Sequence, residues 1–236
     1  MPPQPRRKPA PARNSRTVDP EAANRARNER RTRKQERSRE DILAAARRLM
    51  LKGGIPALTL EAVARECGLS KASLYYYFPS KDALLFDLVF GIQRRYAEHV
   101  GAAVEKARSG SEALRTVVSE SARQFAGQLD DFRLVFLHSQ VASQGEVEID
   151  ERQLEKVRPL NDMWFAGAAG KLAEDARHQK RRMKVDPRML AFLAYLSAIG
   201  LATMKGMVES VNDPLRYTDE ELIEGLARVF EAAASA

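Results

Sequence analysis

The chain has 236 residues, of which 44% are hydrophobic and 30% charged, and its formal net charge is +7. This composition is ordinary for a helix-rich globular protein of one or two domains. We expect no membrane span, because the longest apolar run, Met189 to Met204, is amphipathic and shorter than the roughly 18 residues that a span needs. The N-terminus lacks the apolar run of a secretory signal. The single cysteine, Cys67, excludes an internal disulfide and indicates a reducing cytosol.

The positive charge is concentrated at the N-terminus. Residues 1–40 hold 13 Lys and Arg against 5 Asp and Glu, a net 13 − 5 = +8, and the rest of the chain carries 26 − 27 = −1. This asymmetry indicates a polyanionic partner contacted at one end, although a solvated tail has the same composition. Residues 1–20 contain six of the eleven prolines, so we predict disorder there and a weak, phosphate-induced helix at residues 21–37.

Helical periodicity begins after this arm. Apolar residues recur at steps of three and four between Ile42 and Met50, which predicts an amphipathic helix. Ser38 is the predicted N-cap of this helix, and the Gly53-Gly54 pair is expected to end it.

Three further helices follow with clear start and stop signals. Thr59 is the predicted N-cap of a short second helix that ends at Gly68, where the chain needs a positive φ. A third helix runs from Ser70 to about Phe78, and Ser80 caps a long fourth.

The remaining sequence also has helical periodicity, and no stretch alternates with period two over a useful length. We predict an all-α fold of about nine helices, in which a three-helix helix-turn-helix head precedes a larger helical bundle. The later helices are predicted at about 111–128, 131–142, 150–180, 187–210 and 219–234.

The third helix can be phased from its own residues. Leu74, Tyr77 and Phe78 form an i, i+3, i+4 stripe and are the predicted buried face. Tyr75 and Tyr76 must then face solvent, on the same surface as Lys71, Ala72 and Ser73. A short, cationic, hydroxylic and aromatic helix face suits the major groove of a DNA duplex.

The head resembles the TetR family of bacterial transcription regulators over roughly residues 40–90. The resemblance lies in the run ILAAARRLMLKGG and in TLEAVARECGLSKASLYYYFPSKDALL. It implies a DNA-binding head, and the implied DNA contacts are Thr59, Ser70, Lys71, Ala72, Ser73, Tyr75, Tyr76 and Lys81. Lys81 is expected to hold a phosphate, while simple packing for the tyrosines, capping for Ser70 and a solvated cation for Lys81 remain alternatives.

The basic arm is interpreted in the light of this resemblance. We hypothesise that its basic side chains touch adjacent phosphates or the minor groove. The predicted domains are a largely disordered Pro/Arg-rich arm at 1–36, the helix-turn-helix domain at 37–90, and an effector-binding and dimerisation domain at 91–236. The arm residues in question are Arg25, Arg27, Arg30, Arg31, Arg33 and Lys34.

The resemblance further implies that the C-terminal helices enclose a small-molecule pocket and that the last two pair with a second subunit. The candidate pocket residues are Phe125, Phe136, His138, Met163, Trp164, Phe165 and Tyr195, for which ordinary core packing is the alternative. The candidate dimer contacts are Leu193, Ile199, Thr203, Leu222, Leu226 and Phe230, for which burial within one subunit is the alternative.

The sequence shows no catalytic or metal-binding motif: no glycine-rich phosphate loop, no nucleophile elbow and no paired Cys/His spacing. We therefore expect no catalytic residue, no metal and no cofactor, apart from a possible small-molecule effector of unknown identity. The predicted function is a cytoplasmic, homodimeric repressor that binds a palindromic operator in double-stranded DNA and stays off membranes.

Two rival functions are open at this point. A sequence-tolerant nucleic-acid binder would fail to hold a palindrome against excess random DNA at moderate salt. A helical enzyme or small-molecule carrier that kept the head as a scaffold would not need Lys71 or Tyr76 for its activity.

Overall fold

The computed structural model describes residues 20–143, 150–211 and 217–235, and all secondary structure in that part of the chain is helical. Nine helices occur there, which confirms the all-α prediction. They are α1 (Pro20–Ala57), α2 (Leu60–Glu66), α3 (Lys71–Tyr77), α4 (Lys81–Glu105), α5 (Gly110–Gly127), α6 (Leu129–Ser143), α7 (Glu151–His178), α8 (Pro187–Val211) and α9 (Asp219–Ser235).

The start of α1 differs from the prediction. The helix begins at Pro20 among the described residues, so Ser38 lies inside it and the prediction of an N-cap there is wrong. Residues 20–36 belong to an arm expected to be largely disordered, with a weak helix at residues 21–37 only on contact with phosphates; they are helical in the structure. The predicted stop is confirmed, because Gly53 and Gly54 leave helical geometry and Gly54 has a φ of +69°.

The chain divides into two compact units, residues 1–41 and 42–236. In the second unit the head and the bundle share one hydrophobic core, in which Ile42, Leu74, Phe78, Leu85 and Leu114 are almost fully buried. Within the bundle, α5 is central and packs against α4, α7, α8 and α9.

An ion-pair triad joins the head to the bundle. Asp131 of α6 is buried, and its carboxylate accepts hydrogen bonds from Arg47 of α1 at 2.6 Å and from Arg95 of α4 at 3.3 Å. A buried carboxylate needs such partners, and these two ion pairs connect α6 to α1 and to α4.

The C-termini of α2 and α7 use the same hydrogen-bond pattern with different residues. After α2, Gly68 and Leu69 donate to Arg65 O and Ala64 O, and after α7, Lys180 and Arg181 donate to Arg177 O and Ala176 O. This pair of hydrogen bonds needs one residue with left-handed backbone conformation. That residue is Gly68 at φ +64° after α2 and Lys180 at φ +52° after α7.

Lys180→Gly is expected to stabilise the protein by about 0.5–1 kcal/mol, because glycine occupies the left-handed region without the Cβ penalty. Gly68→Ala is the matched control and should destabilise by a similar amount, since an added Cβ would meet no atom within 4 Å and only the backbone is strained. Denaturant midpoints, compared at an unchanged m-value, test whether Lys180→Gly stabilises and Gly68→Ala destabilises the protein. An unchanged or lower midpoint for Lys180→Gly contradicts this account.

Candidate nucleic-acid interface

The second helix is fixed at its start by a local cap. Thr59 is the N-cap, with extended backbone, and its hydroxyl accepts a hydrogen bond from Ala62 N at 3.1 Å. Leu60, Val63 and Ala64 bury the inner face of α2. Thr59 itself is exposed, so the predicted DNA contact stands at the surface of the head.

The third helix begins after a tight turn. Gly68 and Leu69 end α2 as described above, and Ser70 then caps α3 by accepting a hydrogen bond from Ser73 N at 3.1 Å. The hydroxyls of Ser70 and Ser73 also lie 2.8 Å apart. Both serines are exposed, and each hydroxyl oxygen still has lone pairs for a further partner.

The predicted phase of α3 is confirmed. Leu74 and Phe78 are fully buried and Tyr77 is half-buried, whereas Tyr75 is 43% and Tyr76 67% exposed. Exposure of two neighbouring large aromatic rings is unusual for a stable surface, and here it follows from burial of the stripe on the other side. The exposed face also contains Lys71, Ala72 and Ser73, as the sequence predicted.

Lys71 has a partner that the sequence-based reasoning missed. Its Nζ lies 2.7 Å from Oε1 of Glu61, in the first turn of α2, and 5.7 Å from the centre of the Tyr75 ring. The hydrogen bond between the two side chains, with their opposite charges, lowers the pKa of Glu61 and raises that of Lys71. Lys71 is therefore charged at neutral pH, its ion pair with Glu61 is exposed and weak, and DNA contact by Lys71 stays a prediction.

Glu61→Gln is expected to raise the affinity for any DNA duplex several-fold, because it removes a negative charge next to the proposed phosphate contact and releases Lys71. Glu66→Gln is the matched control on the same helix, since Glu66 accepts instead from Arg48 at 3.1 Å. Fluorescence anisotropy with a random duplex measures both. Equal affinities for Glu61→Gln and Glu66→Gln would argue against a role for the Lys71–Glu61 pair.

Lys81 makes a contact inside the head. This half-buried side chain donates from Nζ to the backbone oxygen of Ile55 at 3.0 Å, next to the end of α1. The bond explains why a cation stands in the first turn of α4, where the helix dipole disfavours it. Two of the three ammonium hydrogens are left for other acceptors, so the predicted phosphate contact stays a prediction.

The arm residues belong to the first unit and are described by themselves. Arg25, Arg27, Arg30, Arg31 and the neighbouring pair Arg33 and Lys34 are all exposed on the N-terminal part of α1. One groove along this part of α1 is lined by Arg30, Arg33, Lys34, Glu36, Arg37 and Glu40. The face is thus cationic with interspersed carboxylates, and DNA contact by this arm remains a prediction.

Four of the predicted pocket residues meet in one aromatic cluster. The Tyr195 ring centre lies 4.5 Å from that of Trp164, 5.6 Å from that of Phe165 and 6.2 Å from that of Phe125. Burial raises the pKa of the Tyr195 phenol to about 12, so it is neutral at physiological pH. The structure thereby brings these rings together, while ligand contact is still a prediction.

The other three predicted pocket residues behave differently. Phe136 and Met163 are 38% and 37% exposed, so the prediction that they face inward is wrong. Phe136 instead stacks beside Phe132 with ring centres 6.2 Å apart. His138 falls within α6, but its side chain lies outside the described residues.

The predicted dimer residues form part of a larger apolar surface. Leu193 is exposed, Thr203 and Leu222 are half-buried, and Ile199, Leu226 and Phe230 also pack against the core of their own subunit. Sequence-based reasoning missed further exposed apolar side chains on α8 and α9. These are Met189, Phe192, Leu196, Met204 and Val229.

The segment Pro187–Met204 is long and apolar enough to cross a membrane by length and composition, so excluding it as too short was wrong. Its inner face packs within the bundle through Leu190, Ala191, Ala194 and Ala198. The high mean hydropathy of this segment therefore comes from two faces of α8, one buried in the bundle and one apolar but exposed. In the part of the chain that the structure describes, no three His, Cys, Asp or Glu side chains are grouped to hold a metal ion.

The head is a helix-turn-helix unit of the kind that places its second helix in the major groove of DNA. Residues 42–88 match the family described as bacterial regulatory proteins, tetR family. The HTH-type transcriptional regulator YerO of Bacillus subtilis (strain 168) is 31% identical over 97 residues, which span 40% of this chain and 31% of YerO. The chain thus matches about a third of that relative's length.

Solved structures share the fold over about four fifths of this chain. The regulator FadR from Bacillus subtilis, in complex with stearoyl-CoA, superimposes with a TM-score of 0.60 at 16% identity, over 82% of this chain and 98% of FadR. AibR, in complex with isovaleryl coenzyme A and operator DNA, gives 0.58 at 21% identity, over 81% and 97%. The head is thus similar to that of the tetR family of bacterial regulatory proteins, and the fold is similar to that of FadR and AibR.

Proposed function

We propose that the protein is a homodimeric, ligand-responsive repressor that binds a palindromic operator through α3 of each head. The observation that carries this proposal is the exposed ridge of Lys71, Tyr75 and Tyr76, held by a buried stripe on the opposite side of the helix. Lysine and serine side chains suit phosphates and base edges, small Ala72 permits close approach, and the tyrosine edges suit thymine methyl groups. In this proposal the protein binds DNA and catalyses no reaction, and it acts in the bacterial cytosol.

Selection from a random duplex library tests this proposal. We expect the wild-type protein to enrich an inverted repeat whose half-sites are about one helical turn apart or somewhat more, matching two heads on a two-fold axis. The enriched duplex should then resist competition by excess random DNA at moderate salt. Enrichment of no sequence would favour the rival function, a sequence-tolerant nucleic-acid binder.

The proposed dimer is formed by α8 and α9 of both subunits. The exposed residues Met189, Phe192, Leu193 and Leu196 recur at helical spacing, which makes one apolar stripe along α8. Contiguous exposed apolar surface of this kind indicates a protein interface in a globular protein.

Leu196→Glu is expected to convert the dimer to a monomer, because it would bury a charge within the apolar stripe. Leu154→Glu provides a matched control, since Leu154 is similarly exposed but lies on α7. Sedimentation velocity reads out the result. A Leu196→Glu variant that sediments with the wild type would exclude this face as the interface.

The ligand response is proposed to act through the contacts that join head and bundle. A ligand that binds one arrangement of the bundle better than another shifts the head separation by that difference in affinity. A movement of α6 could reach the head through Asp131, because its carboxylate binds Arg47 of α1 and Arg95 of α4. The acyl-CoA complexes of FadR and AibR support acyl-CoA compounds as the first effectors to test.

A further inference from the structure

A second candidate ligand site lies away from the aromatic cluster. A cleft of about 230 Å³ lies between α5, α8 and α9 and is partly open to solvent beside the exposed Met204 and Asp219. None of the seven predicted pocket residues is among its described lining residues. Its walls are Ala122 and Ala126 of α5, Leu201, Ala202 and Met204 of α8, and Asp219, Leu222 and Ile223 of α9.

The space exists because small side chains face one another. Ala122 of α5 and Ala202 of α8 both line the cleft, and both are nearly fully buried. Elsewhere α5 packs closely, as at Gly110, where its backbone meets that of α7. Interiors are normally filled to the density of organic crystals, so an unfilled space of this size is a departure that a ligand would remove.

The chemistry of the walls defines the occupant. Among the described lining residues all but one are apolar, and an apolar cavity takes up an apolar molecule; an engineered apolar cavity of roughly 150 Å³ in another protein binds benzene. The exception is Asp219, and Glu220 and Glu221 follow it in the first turn of α9. Arg123 of α5 pairs with Glu220 at 2.5 Å and offsets one of these charges. The three carboxylates still outnumber this cation, so the charge beside the cleft stays negative and disfavours an anionic head group.

We propose that this cleft binds a small apolar molecule or alkyl group, on the order of six to eight carbon atoms, that carries no negative charge. The site shares Leu222 with the candidate dimer contacts but lies outside the DNA-binding face, so its failure would leave the proposed DNA recognition untouched. Binding there stabilises the packing of α9 on α5 and α8.

Fluorine NMR with the full chain tests the proposal, using fluorobenzene as the neutral probe and fluorobenzoate as its anionic counterpart. We expect saturable binding of fluorobenzene that is at least about ten-fold tighter than that of fluorobenzoate. Ala126→Leu and Ala202→Leu fill the cleft from two different helices and should each abolish fluorobenzene binding while keeping the unfolding midpoint at or above that of the wild type.

The control is Ala166→Leu, an exposed position on α7 that does not line the cleft and should leave fluorobenzene binding unchanged. Two cleft-filling variants are used so that, if one of them does not fold, the other still tests whether filling the cleft abolishes fluorobenzene binding. The proposal is overturned if fluorobenzene does not bind, if it still binds a folded filled variant, or if fluorobenzoate binds equally well.

Discussion

Replacing Tyr76 by alanine is expected to weaken binding to the selected operator by about 1–3 kcal/mol, the range for loss of a good base contact. Tyr76 is 67% exposed and packs edge-on against Tyr77 with ring centres 5.2 Å apart, so little core contact is lost. The unfolding midpoint should therefore stay close to that of the wild type. Affinity for random duplex should fall much less than affinity for the operator.

Tyr217→Ala is the matched control for this prediction, because Tyr217 is 53% exposed but lies before α9, outside the head. Its operator affinity should equal that of the wild type. If Tyr76→Ala binds operator and random duplex as the wild type does, the aromatic ridge takes no part in recognition.

Gly110→Ala should destabilise the protein by about 3 kcal/mol, near the upper end of the usual cost of overpacking. An added Cβ would stand 2.5 Å from Leu172 Cα and 2.7 Å from Leu172 N, and backbone atoms of α7 have no rotamer that moves them away. The same glycine donates its N–H to Asp175 Oδ2 at 2.6 Å, so separating α5 from α7 also strains a charge-assisted bond.

Thermal unfolding measures this effect, and we expect the midpoint of Gly110→Ala to fall by roughly 6–12 °C for a chain of this length. Gly170→Ala serves as the control: it is an exposed, helical glycine of α7 whose added Cβ would meet no atom within 4 Å. That change should raise stability by about 0.5–1 kcal/mol. A Gly110→Ala midpoint equal to that of the wild type contradicts the close helix contact.

The sequence predicted the head well because its signals are local. Thr59, Ser70 and Ser80 each accept a hydrogen bond from the backbone N–H three residues on, so spacing alone identifies the caps. Leu74 and Phe78 set the phase of α3, because one buried stripe leaves only one direction for the exposed tyrosines.

Contacts between distant residues were not predictable in the same way. Lys81 meets Ile55 across 26 positions, and Lys71 meets Glu61 only because α2 and α3 pack against each other. Periodicity also does not distinguish a buried helix face from a partly exposed one. For this reason Phe136 and Met163 were predicted to face inward although they are exposed.

The candidate cleft shows a further limit of the sequence. Large aromatic residues are the usual candidates for ligand contacts, and here Phe125 and Trp164 both pack on the Tyr195 ring. Ala122 and Ala202 line a space because they are small, and alanines are also common in closely packed helices. Only coordinates distinguish the two cases.

Chemical probing of the major groove on the selected duplex tests the central proposal most directly. With dimethyl sulfate, which methylates the guanine N7 exposed in that groove, we expect wild-type protein to protect guanines in both half-sites and Tyr76→Ala to protect them less at equal occupancy. Bound duplex whose guanine N7 atoms react as in free DNA would show that α3 does not enter the groove.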